Sequence, residues 1–186
     1  MKQEITIIRY GHREVRDYRV TGHCGLVARA FGAKKMIICG EKDESIVNTI
    51  KGVNETWGGK FRIEFTESWK KAVTKLKKEG NLIVHLTMYG MPVQEVEEEL
   101  QKKKKIAVIV GSQKVEREVY EMADYNISVT TQPHSEIAAM AVFLDRIQQG
   151  KELEAEFRGG KCEIIPQEKG KKVLTLIPKS PNNNKN

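Results

Sequence analysis

Short apolar runs of strand length alternate with segments of helical period along most of this chain, and that alternation restricts the fold more than any other feature. Ile5-Thr6-Ile7-Ile8 reads as a first strand, followed by a helix from Val20 to Phe31 closed by Gly32. Lys35 to Gly40 is a strand, and Ser45 to Trp57 carries Ile46, Val47, Ile50 and Val53 at helical spacing before Gly58-Gly59 stops it. Phe61 to Phe65 alternates as a strand, and Ser68 to Glu79 is an amphipathic helix ended by Gly80. Leu82 to Leu86 is the next strand, with a helix from Pro92 to Leu100. Ile106-Ala107-Val108-Ile109-Val110 is apolar throughout, as a strand buried on both faces must be. A short helix from Val115 to Met122, a strand from Tyr125 to Val129 and a long helix from Pro133 to about Gln149 complete the series. The expectation is an α/β fold with a mostly parallel sheet over residues 1–150.

Residues 151–186 break the pattern. Cys162-Glu163-Ile164-Ile165 and Val173-Leu174-Thr175-Leu176-Ile177 flank the polar run Gln167 to Lys172, which predicts a β-hairpin extension. The polar stretch Ser180 to Asn186 reads as a fraying tail. With 39% hydrophobic and 31% charged residues over 186 positions, the chain is globular in composition. No apolar run approaches the roughly 18 residues that cross a bilayer, and Met1 to Thr6 enter a strand without a signal-peptide core. A cytoplasmic protein, neither membrane-bound nor secreted, is expected. Cys24, Cys39 and Cys162 have no metal-ligand spacing and read as reduced thiols. No metal site is expected.

The net charge of +7 is unevenly placed. Residues 1–40 carry +5 and residues 151–186 carry +3, leaving −1 on the middle. Five of the nine arginines, Arg9, Arg13, Arg16, Arg19 and Arg29, fall within the first 29 residues. A polyanionic partner bound by the two chain ends fits this asymmetry, as does a Lys/Glu-rich surface of the thermophile kind.

In an open α/β sheet, ligands bind beyond the carboxyl ends of the strands. Three successive strand ends here carry glycines, hydroxyls and amides suited to a small polar ligand: Leu86 to Gly90, Gly111 to Lys114, and Thr130 to Glu136. Each loop also reads as an ordinary strand-to-helix turn. Neither GxGxxG after the first strand nor GxxxxGK[ST] occurs, which disfavours dinucleotide and P-loop enzymes.

The segments Val110-Gly111-Ser112-Gln113-Lys114-Val115, Ala123 to Val129 and Gln132-Pro133-His134-Ser135-Glu136-Ile137-Ala138-Ala139 resemble the carboxyl half of SPOUT-superfamily RNA methyltransferases. Arg16 to His23 and Ala28 to Ala33 narrow the resemblance to the archaeal tRNA 2′-O-methyltransferases that act on cytidine 56. That resemblance implies a trefoil knot, S-adenosyl-L-methionine as cofactor, tRNA as partner, and a homodimer. It implies cofactor contacts at Leu86; at Gly111, Ser112, Gln113, Lys114 and Val115; and at Val129, Thr130, Thr131, Gln132, Pro133, His134, Ser135 and Glu136, with Val110 and Ile127 at strand ends.

Methyl transfer to a ribose hydroxyl needs positioning and removal of a proton from a very weak acid. The resemblance implies an arginine of the first helix in that role, reaching across the dimer. The usual Asn-x-Gly is missing, and two alignments lead to different arginines, Arg19 and Arg29. Arg19 and His23 lie one helical turn apart and form the catalytic candidates. Arg9, Arg13 and Arg29 are the RNA-contact candidates, although Arg29 fits equally a helix-end cation that offsets the dipole. Neutralising Arg9 and Arg13 is expected to weaken tRNA binding and leave cofactor affinity unchanged. Ser135 also reads as the cap of the last helix, whose Ile137, Ala138, Met140, Ala141, Phe143 and Leu144 suit either a partner helix or the protein's own core. His12 and His85 read as structural. Two other classes remain open, a non-catalytic tRNA-binding module on the same fold and a small-molecule nucleotide enzyme.

Overall fold

A computed structural model describes residues 3–111 and 114–176. Ser112 and Gln113, the end of the second hairpin segment from Ile177, the polar tail, and Met1 and Lys2 lie outside the described residues. The order is β1 (Glu4–His12), α1 (Glu14–Ala30), β2 (Lys35–Gly40), α2 (Glu44–Trp57), β3 (Arg62–Thr66), α3 (Trp69–Lys78), β4 (Leu82–Pro92) and α4 (Val93–Gln101). Then follow β5 (Lys105–Gly111), α5 (Arg117–Met122), β6 (Tyr125–Ser128), α6 (Glu136–Gln148), a 3-10 turn (Lys151–Glu154), β7 (Cys162–Ile165) and β8 (Lys172–Thr175). The first six strands form one parallel sheet in the order β3-β2-β1-β5-β4-β6. Winding reverses between β1 and β5, so the crevice where α/β sheets take ligands opens there.

The two-residue period of the central strands builds two cores. Ile5 and Ile7 of β1 join Ile106, Val108 and Val110 of β5 under Met140, Phe143 and Leu144 of α6. Ile8 and Tyr10 join Ala107 and Ile109 on the opposite face, against Val73 and Leu76 of α3 and Val119 of α5. The long helix expected to face either a partner or its own core thus buries its larger apolar residues in its own core. Among the described residues, no helix is long and apolar enough to cross a membrane.

Among the boundaries that differ from the sequence reading, the two largest shifts are in α1 and β4. Helix α1 starts at Glu14 rather than Val20. Its first turns are charged, which hides the period. Asp17 anchors them by accepting from the Arg13 backbone amide at 3.1 Å, and Glu14 and Asp17 favour the positive end of the dipole. Strand β4 runs to Pro92 instead of ending at Leu86. It bulges after Leu86 and rejoins β6 with Met91 opposite Ile127 and Pro92 opposite Ser128. Gly90 makes the return possible, because a Cβ there would stand 2.4 Å from the Asn126 carbonyl carbon.

The hairpin pairs Cys162 with Thr175 through Ile165 with Lys172. Its approach segment is held at the end of α2, where Gly59 N donates to Arg158 O at 2.9 Å and Lys161 N to Glu55 O at 3.1 Å.

Candidate cofactor cavity and its buried arginine

The carboxyl ends of β4 and β5 and the loop leading into α6 enclose a cavity of about 420 Å³, within the usual range for small-molecule sites. The β4 bulge supplies Leu86, Thr87, Met88 and Tyr89, and β5 supplies Val110 and Gly111. Lys114 and Val115 follow, and Pro133, His134, Glu136 and Ala139 close the far side. Seven residues expected at the cofactor therefore line one space: Leu86, Gly111, Lys114, Val115, Pro133, His134 and Glu136. Val129, Thr130, Thr131, Gln132 and Ser135 do not line it; Ser135 caps α6, accepting from Ile137 N at 3.2 Å.

The remaining wall could not be read from spacing. His85 is buried beneath the β4 bulge and lines the cavity. Asn126 donates to the Tyr120 carbonyl at 2.9 Å, which turns its Oδ1 to His85 Nδ1, also at 2.9 Å. Nδ1 therefore carries the proton and Nε2 is left as an acceptor. Burial pushes the His85 pKa down, against the opposing pull of Asn126, so the ring is neutral. Tyr120 stacks edge-on to His85 with ring centroids 4.6 Å apart, and its hydroxyl meets Thr87 Oγ1 at 3.2 Å.

Arg9 corrects the sequence reading. It was expected at RNA phosphate, yet it is 0% exposed at the reversal between β1 and β5. Its guanidinium donates to Gly111 O at 2.8 Å, to Glu136 Oε1 at 3.2 Å and to Thr21 Oγ1 at 3.3 Å. It ties two cavity loops to α1 instead of facing solvent. Thr21 Oγ1, accepting from Arg9 Nε, also lies within hydrogen-bond distance of His12 Nδ1, at 3.0 Å. His12 Nε2 lies 3.7 Å from Asp43 Oδ2. Because the expected strand ended at Ile8, the enclosure of Arg9 was missed; continuing the run through Arg9-Tyr10 signals a charge inside a central strand.

Arg29 is a second correction. It is 8% exposed and donates to Asn54 Oδ1 at 2.9 Å and to Gly58 O at 2.6 Å, with its guanidinium 4.6 Å from the Phe157 ring. It holds the extension to α2, with most of its surface buried in that contact. Arg13, half-buried, grips Asp17 at 3.0 Å and helps to start α1. Arg19 and His23 lie on the exposed face of α1, and neither lines the cavity of its own protomer.

Solved RNA-methyltransferase structures share this fold. A tRNA-modifying enzyme of the TrmH/SpoU type from A. aeolicus superposes with a TM-score of 0.59 at 17% identity, covering 83% of this chain and 78% of that one. The SpoU methyltransferase AviRb from Streptomyces viridochromogenes, solved in complex with AdoMet, gives 0.53 at 13% identity, covering 79% of this chain and 57% of that one. The chain thus shares the fold of these SpoU/TrmH-type structures. The profile of the family described as tRNA ribose 2′-O-methyltransferase, aTrm56, matches residues 57–174. A tRNA (cytidine(56)-2′-O)-methyltransferase of Thermococcus kodakarensis is 51% identical over 95% of this chain and 99% of its own length. One of the same name from Methanopyrus kandleri is 45% identical over 95% of this chain and 99% of its own. The chain belongs to the aTrm56 family.

Proposed function

We propose that this protein methylates the ribose 2′-hydroxyl of cytidine 56 in tRNA with S-adenosyl-L-methionine as donor. The observation that carries this reading is the 51% identity, across nearly the whole chain, with a relative of that name. The donor set of the cavity fits the cofactor. Leu86, Val115, Pro133 and Ala139 offer apolar walls for a purine and a methylene chain, while Lys114 and Glu136 offer opposite charges to an amino-acid moiety. Bound there, the cofactor supplies an electrophilic methyl group. The protein's own residues then position the acceptor and remove its proton. Arg19 and His23, exposed one turn apart on α1, serve this step at the cavity of a second protomer.

The reading therefore includes a homodimer, a knotted carboxyl half and a cytoplasmic location. Exposed apolar side chains support the dimer: Val15 at 91%, with Tyr18 and Val20, on α1; Tyr89 at 77%, with Met91, on the β4 bulge; and Val142 on α6. Sedimentation is expected to give twice the 21.2 kDa chain mass. The decisive experiment is incubation of unmodified tRNA with protein and cofactor, followed by nucleoside mass spectrometry and mapping. The expected product is 2′-O-methylcytidine at position 56, reduced about 100-fold in Arg19→Ala with cofactor affinity intact. Methyl on a base, or tRNA binding with no cofactor binding, would refute the reading.

A further inference from the structure

A second cavity, of about 870 Å³, opens on the same sheet edge beyond β1, β2 and β3. It lies over β2, three strand spacings from β4, or about 14 Å at roughly 4.8 Å each. Lys42, Lys71, Phe65, Thr66 and Ser68 line it, and α3 begins at its rim with Ser68 as cap. His12 is 1% exposed and forms part of the wall. Among the described residues its Nε2 has no hydrogen-bond partner, nor has Asp43 Oδ2, 3.7 Å away and too far to supply one. A buried polar atom left unmatched is costly, and its persistence beside a roomy polar cavity marks a place for a ligand.

The lining selects the ligand class. The Lys71 ammonium, the Lys42 ammonium that also pairs with Glu44, and the start of a ten-residue helix suit a phosphate. The Phe65 ring suits a base, and Thr66 and Ser68 suit ribose or base edges. Glu41 and Glu67, also in the lining, oppose a phosphate on their side and suit an exocyclic amine. His12 is also one end of the buried chain through Thr21 and Arg9 to Glu136, so the two cavities share one polar wall.

Resting on the activity proposed above, we infer that this cavity holds a nucleotide of the substrate tRNA that flanks the methylated one, its phosphate on Lys42 and Lys71. The separation of the two cavities is a span that a short stretch of unstacked RNA bridges.

The test compares Lys42→Ala/Lys71→Ala with the charge-matched pair Lys75→Ala/Lys78→Ala, which lies along α3 away from this cavity. Affinity for tRNA is measured across a salt series, with S-adenosylhomocysteine affinity and turnover alongside. The first pair is expected to weaken tRNA binding at least about tenfold and to reduce the slope of log K against log salt by about 1.5. Cofactor affinity and the turnover at saturating tRNA stay within about twofold, and the control pair leaves tRNA affinity near wild type. Equal losses in both pairs would overturn the site in favour of a diffuse field, and unchanged binding in the first pair would overturn it outright. If the wild type binds S-adenosylhomocysteine but no tRNA, the activity reading itself fails and this site with it.

Discussion

Arg9 places a permanent charge in the middle of the protein, and its three hydrogen bonds explain why it is tolerated. Removing it strands the Glu136 carboxylate and the Gly111 carbonyl at the cofactor cavity. Arg9→Ala is expected to lose about 3 kcal/mol of stability in chemical denaturation. Arg9→Lys keeps the charge but not the fork, and calorimetry is expected to show about tenfold weaker S-adenosylhomocysteine binding. This reverses the expectation that neutralising Arg9 spares the cofactor. Two other burial effects are directly measurable. Burial pushes the Cys24 thiol up to about 11 and the Cys39 thiol up to about 12, so at pH 8 a thiol reagent should label Cys162 alone in the native protein. His12 and His85 are held neutral, chiefly by burial, with pKa values below the ordinary 6.5. Above that value both folded and unfolded chains are neutral there; below it the unfolded chain takes up protons first. Their contribution to stability is therefore complete above pH 6.5 and declines as pH falls towards 5, by up to about 1.4 kcal/mol per unit for each ring. The thermal midpoint should drop over that window, less steeply in His85→Gln.

At the scale of elements, the extension depends on backbone contact as much as on side chains. Gly58 has φ +82°, and a Cβ there would stand 2.5 Å from Phe157 O. Gly58→Ala is expected to detach the segment from α2, and Arg29→Ala to cost about 2 kcal/mol through its lost charged hydrogen bonds. Limited proteolysis after residue 155 should accelerate in both. The β4 bulge was legible only as a loop, because Leu86 to Gly90 has turn-like chemistry and the pairing that recovers the strand lies on β6. The start of α1 was hidden for a different reason: its exposed turns carry no apolar stripe, and its anchor is Asp17.

Across the whole molecule, the basic amino-terminal excess divides into cations with different duties. Arg9 and Arg29 are internal, Arg13 is paired, and Arg16 and Arg19 face solvent on α1. The exposed cations among these five arginines therefore lie on that helix, so the asymmetry of charge survives while its attribution changes. The reversal of winding between β1 and β5 gathers the ends of β4 and β5 and the loop after β6 into one cavity and leaves β1 to β3 to form another on the same edge.

Period and punctuation alone determined the strand–helix alternation, the central place of Ile106 to Val110 and the three loops where a ligand should sit, because these depend on residues within a few positions of one another. Tertiary structure alone decided which partners the buried arginines meet and which loops they join. Arg9 meets Gly111 and Glu136 across more than a hundred residues, and Arg29 meets the approach to the hairpin. A cation's role follows from what surrounds it in space, and no local pattern encodes a partner that far along the chain.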